Sequence, residues 1–383
     1  MKNLIFKTVL PAAVLLFAVI LAVCPLGCKA SLDEIDVLEG DFSVPHVENF
    51  TVVGCRSLKM DFTKKVRVEN ASTYDSKEES FFCGVKTAYS EDGKSVSFEL
   101  ARDTVIGEKY VLEGMILDEH GNSLTFSIGF RGYNENPARV ILSEVRNAYG
   151  TASVKDETGT SQKVHRSEYV ELYVLRGGNL CGIEVCSAAD GEDKKFTFPS
   201  VEVNAGDYVT VHMRTIDADE LDGEGMISEM GDDLTLSTHE DSCNTARDLW
   251  SENTKSCFAD SDIIYLKDSY SGKILDVLVY AKSTVVFWKD AFNDVVNAVE
   301  ASGVWGSEVF PENGVSSDFI TSSAATRSFS RQNVEECAAA FEKGKPLKNG
   351  KDVWMITANS GAGKNQVIGI TPGFKNSSNE YKK

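Results

Sequence analysis

The sequence predicts an all-β protein made of two β-sandwich domains in tandem, and three observations carry that prediction. Short runs of alternating apolar and polar residues recur along the chain, as in Ser95–Leu100. Such alternation turns one face of a strand toward a core and the other toward water. Turn-forming residues separate the runs, as at Asp92-Gly93, where glycine supplies the positive φ of a tight hairpin. A length of 383 residues with 42% hydrophobic and 25% charged content fits more than one globular domain.

The first domain is predicted over residues 40–132. Its expected strands are Thr51–Val53, Leu58–Phe62, Val66–Val68, Ser95–Leu100, Tyr110–Leu117 and Leu124–Phe130. This segment resembles the immunoglobulin-like modules of bacterial surface proteins. The resemblance is carried by Met60–Thr63, Asp92–Val96, Gly107–Tyr110 and Asp118–Leu124. The segment from Gly132 to Pro137 is the natural hinge to the next domain.

The second domain is predicted over residues 138–377, and its pattern resembles the lamin tail domain. The pieces that carry the resemblance occur in order: Ile141–Val145, Glu168–Tyr173, Gly178–Ile183, Phe198-Pro199, Ala205–Tyr208, Asp262–Leu266, Gly272–Asp276, Ser328–Arg331, Trp354 and Thr371–Asn376. The resemblance implies a second immunoglobulin-like sandwich. Glu144, Glu171 and Asp276 recur at characteristic places in it, and we expect them to accept backbone hydrogen bonds at strand ends. A polar tail, residues 378–383, ends the chain.

Two long insertions interrupt the second domain, and any specific binding is expected there. Residues 214–258 are acidic and rich in turns. Residues 284–325 are predicted to contain a short amphipathic helix, because Phe292, Val295, Val296 and Val299 are spaced for one face. Most aromatic residues should be core, whereas Trp250, Trp288 and Trp305 are the candidates for an exposed contact surface.

Residues 1–27 have the pattern of a signal peptide, with lysines before an apolar stretch that is short for a membrane span. The end of this stretch resembles the lipobox of bacterial lipoproteins. Cys28 is the predicted modified residue because Gly27 precedes it, and Cys24 is the alternative. The resemblance implies a covalent lipid of diacylglycerol and palmitate on the mature cysteine, which anchors the protein to a membrane. Residues 28–39 are then the linker.

Charge excludes one class of partner. The chain has 39 Lys and Arg against 58 Asp and Glu, a net charge of −19. Binding to nucleic acid needs clustered basic residues, so we expect this chain not to bind nucleic acid. Removal of residues 1–27 takes away two lysines and leaves −21. We expect a body of this charge to stand away from anionic headgroups.

Cysteines and acidic residues offer few metal or disulfide sites. Of nine cysteines, none forms a C-x-x-C pair, so no structural zinc site is expected. Cys243 and Cys257 are the candidate disulfide pair, since export permits disulfides. Asp217, Asp219 and Asp222 are the only metal candidates; their register does not match an EF-hand, and the alternative is a solvated loop.

Catalytic and nucleotide motifs are missing. The chain contains no G-x-S-x-G elbow. The segment from Ala358 to Asn365 lacks the first glycine and the Ser or Thr of a P-loop, so we expect no nucleotide. No other cofactor is implied.

The sequence therefore predicts a non-catalytic protein of the bacterial cell envelope, lipid-anchored and exported to the periplasmic face or the cell surface. Its role would be binding, tethering, adhesion or scaffolding, with the membrane and either a protein or an envelope polymer as partners. The alternative is an envelope hydrolase whose site is formed by residues 214–258. That alternative predicts a deep cleft lined by carboxylates or histidine with shifted pKa values.

Overall fold

A computed structural model of the chain describes residues 43–75, 81–82, 85–155, 158–189, 195–215, 225–320, 326–360 and 368–382. Strands dominate these residues, so the all-β class is confirmed.

The first sandwich packs two four-stranded antiparallel sheets against each other. Its strands are β1 Val47–Gly54, β2 Ser57–Phe62, β3 Val66–Asp75, β4 Phe81–Phe82, β5 Lys86–Tyr89, β6 Ser95–Glu99, β7 Lys109–Asp118 and β8 Ser123–Arg131. One sheet has the order β1-β2-β6-β5 and the other β4-β3-β7-β8. In β2 the alternation buries Leu58, Met60 and Phe62, which meet Leu112 and Ile116 of the opposite sheet in one core.

The second sandwich is larger. Its strands are β9 Arg139–Arg146, β10 Gly150–Lys155, β11 Ser161–Arg166, β12 Tyr169–Arg176, β13 Gly178–Asn179, β14 Ile183–Ser187, β15 Phe196–Thr197, β16 Glu202–Val203, β17 Tyr208–His212, β18 Arg247–Trp250, β19 Asp262–Asp268, β20 Ile274–Ala281, β21 Val315–Ser316, β22 Arg327–Arg331 and β23 Trp354–Ala358. A six-stranded sheet of order β18-β17-β12-β9-β22-β23 faces a five-stranded sheet of order β15-β14-β19-β20-β21. Their inner faces share one core, to which Leu142, Leu172 and Val279 contribute.

Strand β9 is buried on both faces, which explains why its sequence does not alternate. Val140 and Leu142 point into the sandwich core, whereas Ile141 packs on the outer side against Cys337. The six-stranded sheet is therefore covered on its outer face as well. This cover is where polar residues of β9 and β12 become buried.

The predicted short helix in residues 284–325 is confirmed as α1, Asn293–Ser302, which turns Val299 into the core. A second helix, α2 Val334–Glu342, was not predicted and packs on the outer face of the six-stranded sheet. Short 3-10 turns occur at Asp290–Phe292, Pro311–Asn313 and Lys351–Val353. Among the described residues, no helix is long and apolar enough to cross a bilayer.

The predicted hinge is hydrogen-bonded to the second sandwich. The Asn134 carboxamide donates from Nδ2 to the carbonyls of Asn179 and Cys181, each at 2.9 Å. Tyr270 Oη donates to the Gly132 carbonyl at 2.7 Å. The connection between the sandwiches is thus built from buried contacts in addition to the peptide chain.

Candidate functional site

The candidate site lies on the outer face of the six-stranded sheet, over the ends of β9 and β12. Glu144 of β9 and Glu171 of β12 are cross-strand neighbours, and both are fully buried. Residues 368–374, here called the covering segment, pass over them. Two fully buried carboxylates side by side are costly unless each is hydrogen-bonded or protonated.

The two carboxylates hold the covering segment in place. Glu144 Oε2 accepts from the amide and the hydroxyl of Thr371, both at 3.1 Å, and Glu171 Oε2 accepts from the Gly373 amide at 2.6 Å. Asp276 accepts from the Leu142 amide at 2.8 Å. The prediction that these three acidic residues accept backbone hydrogen bonds is therefore confirmed.

One proton is expected to stay on this pair at neutral pH. Burial raises the pKa of Glu171 well above its usual range, and the charge of Glu144 adds to the effect. Burial also raises the pKa of Glu144, but hydrogen bonds from Ser328 and Thr371 oppose that rise. Because Glu144 has more donors, the geometry favours a charged Glu144 beside a protonated Glu171.

A buried ion triad lies beside the pair. Asp241, from the 214–258 insertion, contacts Arg146 Nη1 at 3.0 Å and also Nη1 of Arg166. The side chains of Arg146 and Asp241 are fully buried, and that of Arg166 is nearly so. Burial alone would raise the pKa of Asp241, but the two guanidinium groups lower it to about 2. The triad fixes the insertion to the end of β9.

Two buried histidines lie near the triad: His212 is in β17, and His239 is two residues before Asp241. His212 Nε2 lies 2.9 Å from Asp248 Oδ1, and its ring stacks on Trp250 with centroids 3.7 Å apart. His239 Nδ1 accepts from the Asp241 amide at 3.1 Å, so its other nitrogen carries the proton. Burial lowers the pKa of His239 to about 4. Both rings are buried.

A groove opens above these buried groups. Its volume is about 380 Å³, and it is lined by Arg166, Glu240, Ser242, Asn359, Ile368, Ile370, Thr371, Pro372 and Phe374. Ile368 and Phe374 remain 61% and 55% exposed. Apolar side chains left this open beside a few polar groups are typical of a contact surface. Sequence reasoning missed the groove because its two sides are more than a hundred residues apart.

The predicted tryptophan surface is wrong for two of its three members. Trp250 is buried because it stacks on His212 and donates from Nε1 to Ser237 Oγ at 3.0 Å. Trp305 is buried in the main core. Trp288 is half-buried. In the described part of the 284–325 insertion, the exposed large apolar residues are instead Val286, Phe287 and Phe310.

The other predicted site residues have mixed outcomes. The candidate disulfide is not formed: Cys243 Sγ contacts Thr245 Oγ1 at 3.1 Å, whereas Cys257 Sγ contacts the Met213 carbonyl at 3.2 Å, on a different side of the insertion. Cys24, Cys28, Asp217, Asp219 and Asp222 lie outside the described residues. Within the described ranges, no group of three His, Cys, Asp or Glu is arranged to hold a metal ion.

A second cavity borders the 214–258 insertion. It measures about 470 Å³ and is lined by Gly177, Gly178, Glu202, Val203, Asn204, Asp207, Tyr208, Val209, Asp232, Leu234, Thr245, Ala246 and Arg247. The described insertion residues with shifted pKa values, Glu229, Asp233, His239 and Asp241, line neither this cavity nor the groove. The arrangement that the hydrolase alternative predicted is therefore not found at these two cavities.

Comparison with known proteins places the second sandwich in a family. The family TP_1001_2nd, described as a protein second domain, matches residues 138–368. The chain belongs to this family. The TP_1001_2nd match contains strands β9–β23 and ends where the covering segment begins.

One relative is an uncharacterized protein of Treponema pallidum (strain Nichols), which is 32% identical over 184 residues. These residues are 47% of this chain and 41% of that protein, so the chain spans less than half of its relative.

Two solved structures show weak similarity. A DUF4876 family protein from Bacteroides thetaiotaomicron VPI-5482 is 12% identical, with a TM-score of 0.29 over 76% of this chain and 92% of that chain. The N-terminal part of the bacterial S-layer protein SbsC is 20% identical, with a TM-score of 0.23 over 34% of this chain and 41% of that chain. The fold class therefore rests on the chain's own strands.

Proposed function

We propose that the protein is a non-catalytic, lipid-anchored module of the cell envelope that binds a protein partner through the groove beside the covering segment. Cys28 would carry the lipid. In this proposal the second domain is a lamin-tail-like sandwich that tethers or scaffolds and does not catalyse.

The groove is the observation that supports binding. Ile368 and Phe374 offer apolar surface to a partner, while Arg166 and Glu240 offer polar contacts between them. The charged groups beneath are already satisfied by one another, as Arg166 is by Asp241. Proton transfer needs a group that can meet the substrate, whereas Arg166 of the groove is already paired with the buried Asp241, which favours recognition over proton transfer.

Site-specific photo-crosslinking in intact cells tests the groove. A crosslinker at Phe374 should give a discrete protein adduct, and Ile368→Ser should weaken it. The matched control is a crosslinker at Tyr89, which is also exposed but lies on the edge of the first sandwich. Identical adducts at both positions, or none at Phe374, would contradict a groove-specific partner.

Metabolic labelling with palmitate tests the anchor. Cys28→Ser should abolish the label, and Cys24→Ser should leave it. Label that persists in the first variant and is lost in the second would move the modified residue to Cys24. Absence of label from the parent protein would refute the lipid anchor altogether.

A further inference from the structure

The two most exposed large apolar side chains of the described residues lie next to each other in a loop after β20. Phe287 is 80% exposed and Val286 69% exposed, and Phe310 is 46% exposed. We call residues 283–288 the tip loop. Exposed apolar residues are common singly, but adjacent ones held at a protruding turn are a recurrent sign of contact with another apolar phase.

The tip loop is held in place from beneath. Trp288 Nε1 donates to the Val309 carbonyl at 2.6 Å, and its ring stacks on Phe292 with centroids 5.4 Å apart. The Ser283 amide donates to Asp318 Oδ1 at 2.9 Å. Because the base of the loop is fixed, contact at Phe287 costs little additional conformational entropy of the backbone.

The composition of the tip loop favours contact with a lipid surface over contact with a protein partner. Phe287 and Val286 keep most of their side-chain surface exposed and line neither the groove nor the cavity beside the 214–258 insertion. The order Val-Val-Phe-Trp is followed directly by Lys289, and Lys282 lies three residues before its first valine. Aromatic side chains next to lysine are typical of the interface between headgroups and acyl chains.

We propose that the tip loop inserts Val286 and Phe287 into the interface of the bilayer that carries the lipid anchor. The proposal rests on the proposed function for the tether. From Cys28 to Ser43 there are about 15 residues, whose fully extended length is roughly 50 Å, so the anchor would allow the body to turn toward the membrane. Two contact points, one covalent and one apolar, would then set the orientation of the body.

Charge limits where this insertion can occur. Without residues 1–27 the chain has a net charge of −21, so an anionic surface repels the body. Burial of the apolar tip loop among the acyl chains opposes this repulsion. Lys282 is compensated by an ion pair with Asp260. We therefore expect insertion into zwitterionic bilayers and weaker insertion as anionic lipid is added.

Fluorescence quenching tests the proposal without relying on acylation. The chain from Lys29 to Lys383 is attached by an N-terminal hexahistidine tag to nickel-chelating lipid in zwitterionic vesicles with brominated acyl chains. Trp288 is the reporter, and the Trp288→Phe protein supplies the background of the other three tryptophans. Attachment by the tag keeps this test independent of whether Cys28 is acylated in the cell.

Brominated lipid should remove roughly half of the Trp288 emission, because interfacial side chains sit ~5–10 Å into the headgroup boundary. Phe287→Ser should abolish this quenching. Val53→Ser, an exposed valine in the first sandwich, should leave it unchanged. Equal quenching in parent and Phe287→Ser would overturn the proposal. An absence of quenching in the parent would also overturn it, and a protein adduct from a crosslinker at 287 would then make the tip loop a protein contact.

Discussion

Asp241 directly contacts the guanidinium groups of both Arg146 and Arg166, and all three residues are buried. Asp241→Ala should cost about 3–5 kcal/mol in the free energy of unfolding, because it leaves two guanidinium groups without their counter-charge. Urea unfolding followed by circular dichroism measures this loss. The control is Glu119→Ala, which breaks an exposed pair with Lys65 and should leave the midpoint unchanged. Similar midpoints for both variants would show that the triad adds little to stability.

His239 should make stability depend on acidity. Burial lowers the pKa of its folded form to about 4, whereas an unfolded histidine titrates near 6.5. The stability it contributes is present above pH ~6.5 and is lost as the pH falls to ~4, because only the unfolded chain takes up the proton. The loss amounts to roughly 3 kcal/mol for a shift of this size.

The variant His239→Asn isolates this effect, since its side-chain oxygen can still accept from the Asp241 amide. Asp262 acts in the opposite sense: burial raises its folded pKa to about 7, so its contribution is lost as the pH rises from ~4 to ~7. Subtracting the unfolding free energies of parent and variant at each pH cancels Asp262. A difference that does not change between pH 7 and pH 4 would contradict the prediction.

At the scale of elements, the covering segment depends on one glycine. Gly373 has φ 82°, and a Cβ there would lie 2.4 Å from Cys243 Cβ. Gly373→Ala should therefore lift the segment from Glu144 and Glu171 and speed exchange of the amide protons of Thr371 and Gly373, which these carboxylates accept. The control Gly272→Ala has a similar φ of 71° but open space around it, so it carries backbone strain without the clash. Equal exchange of the segment in both variants would rule out the steric account.

At the scale of the whole molecule, the junction between the sandwiches should behave as a fixed joint. Asn134→Ala removes two donated hydrogen bonds to the second sandwich, and small-angle scattering should then show a wider distribution of sizes than in the parent. Asn313→Ala removes an exposed hydrogen bond to the Glu308 carbonyl and serves as the control. If the two variants scatter alike, the joint is held by other contacts.

The sequence could predict features that depend on local patterns but not those that depend on distant contacts. The strand Leu58–Phe62 was found because its alternation is a local consequence of having one buried face, and the structure has Ser57–Phe62. The groove depends on Thr371 meeting Glu144, a contact across 227 residues that no local pattern encodes. Trp250 was misplaced for the same reason, since its partner His212 comes from another strand.

The pairing of β9 with β22 links the order of synthesis to the order of folding. Glu144 and Ser330 lie opposite each other across 186 residues of chain. The strands of the first sandwich pair at much shorter separations, so that domain can close while the ribosome is still at work. The centre of the second sheet stays open until β22 has emerged. For nearly half of its synthesis the growing chain therefore carries an unpaired strand edge, which makes it a substrate for chaperones.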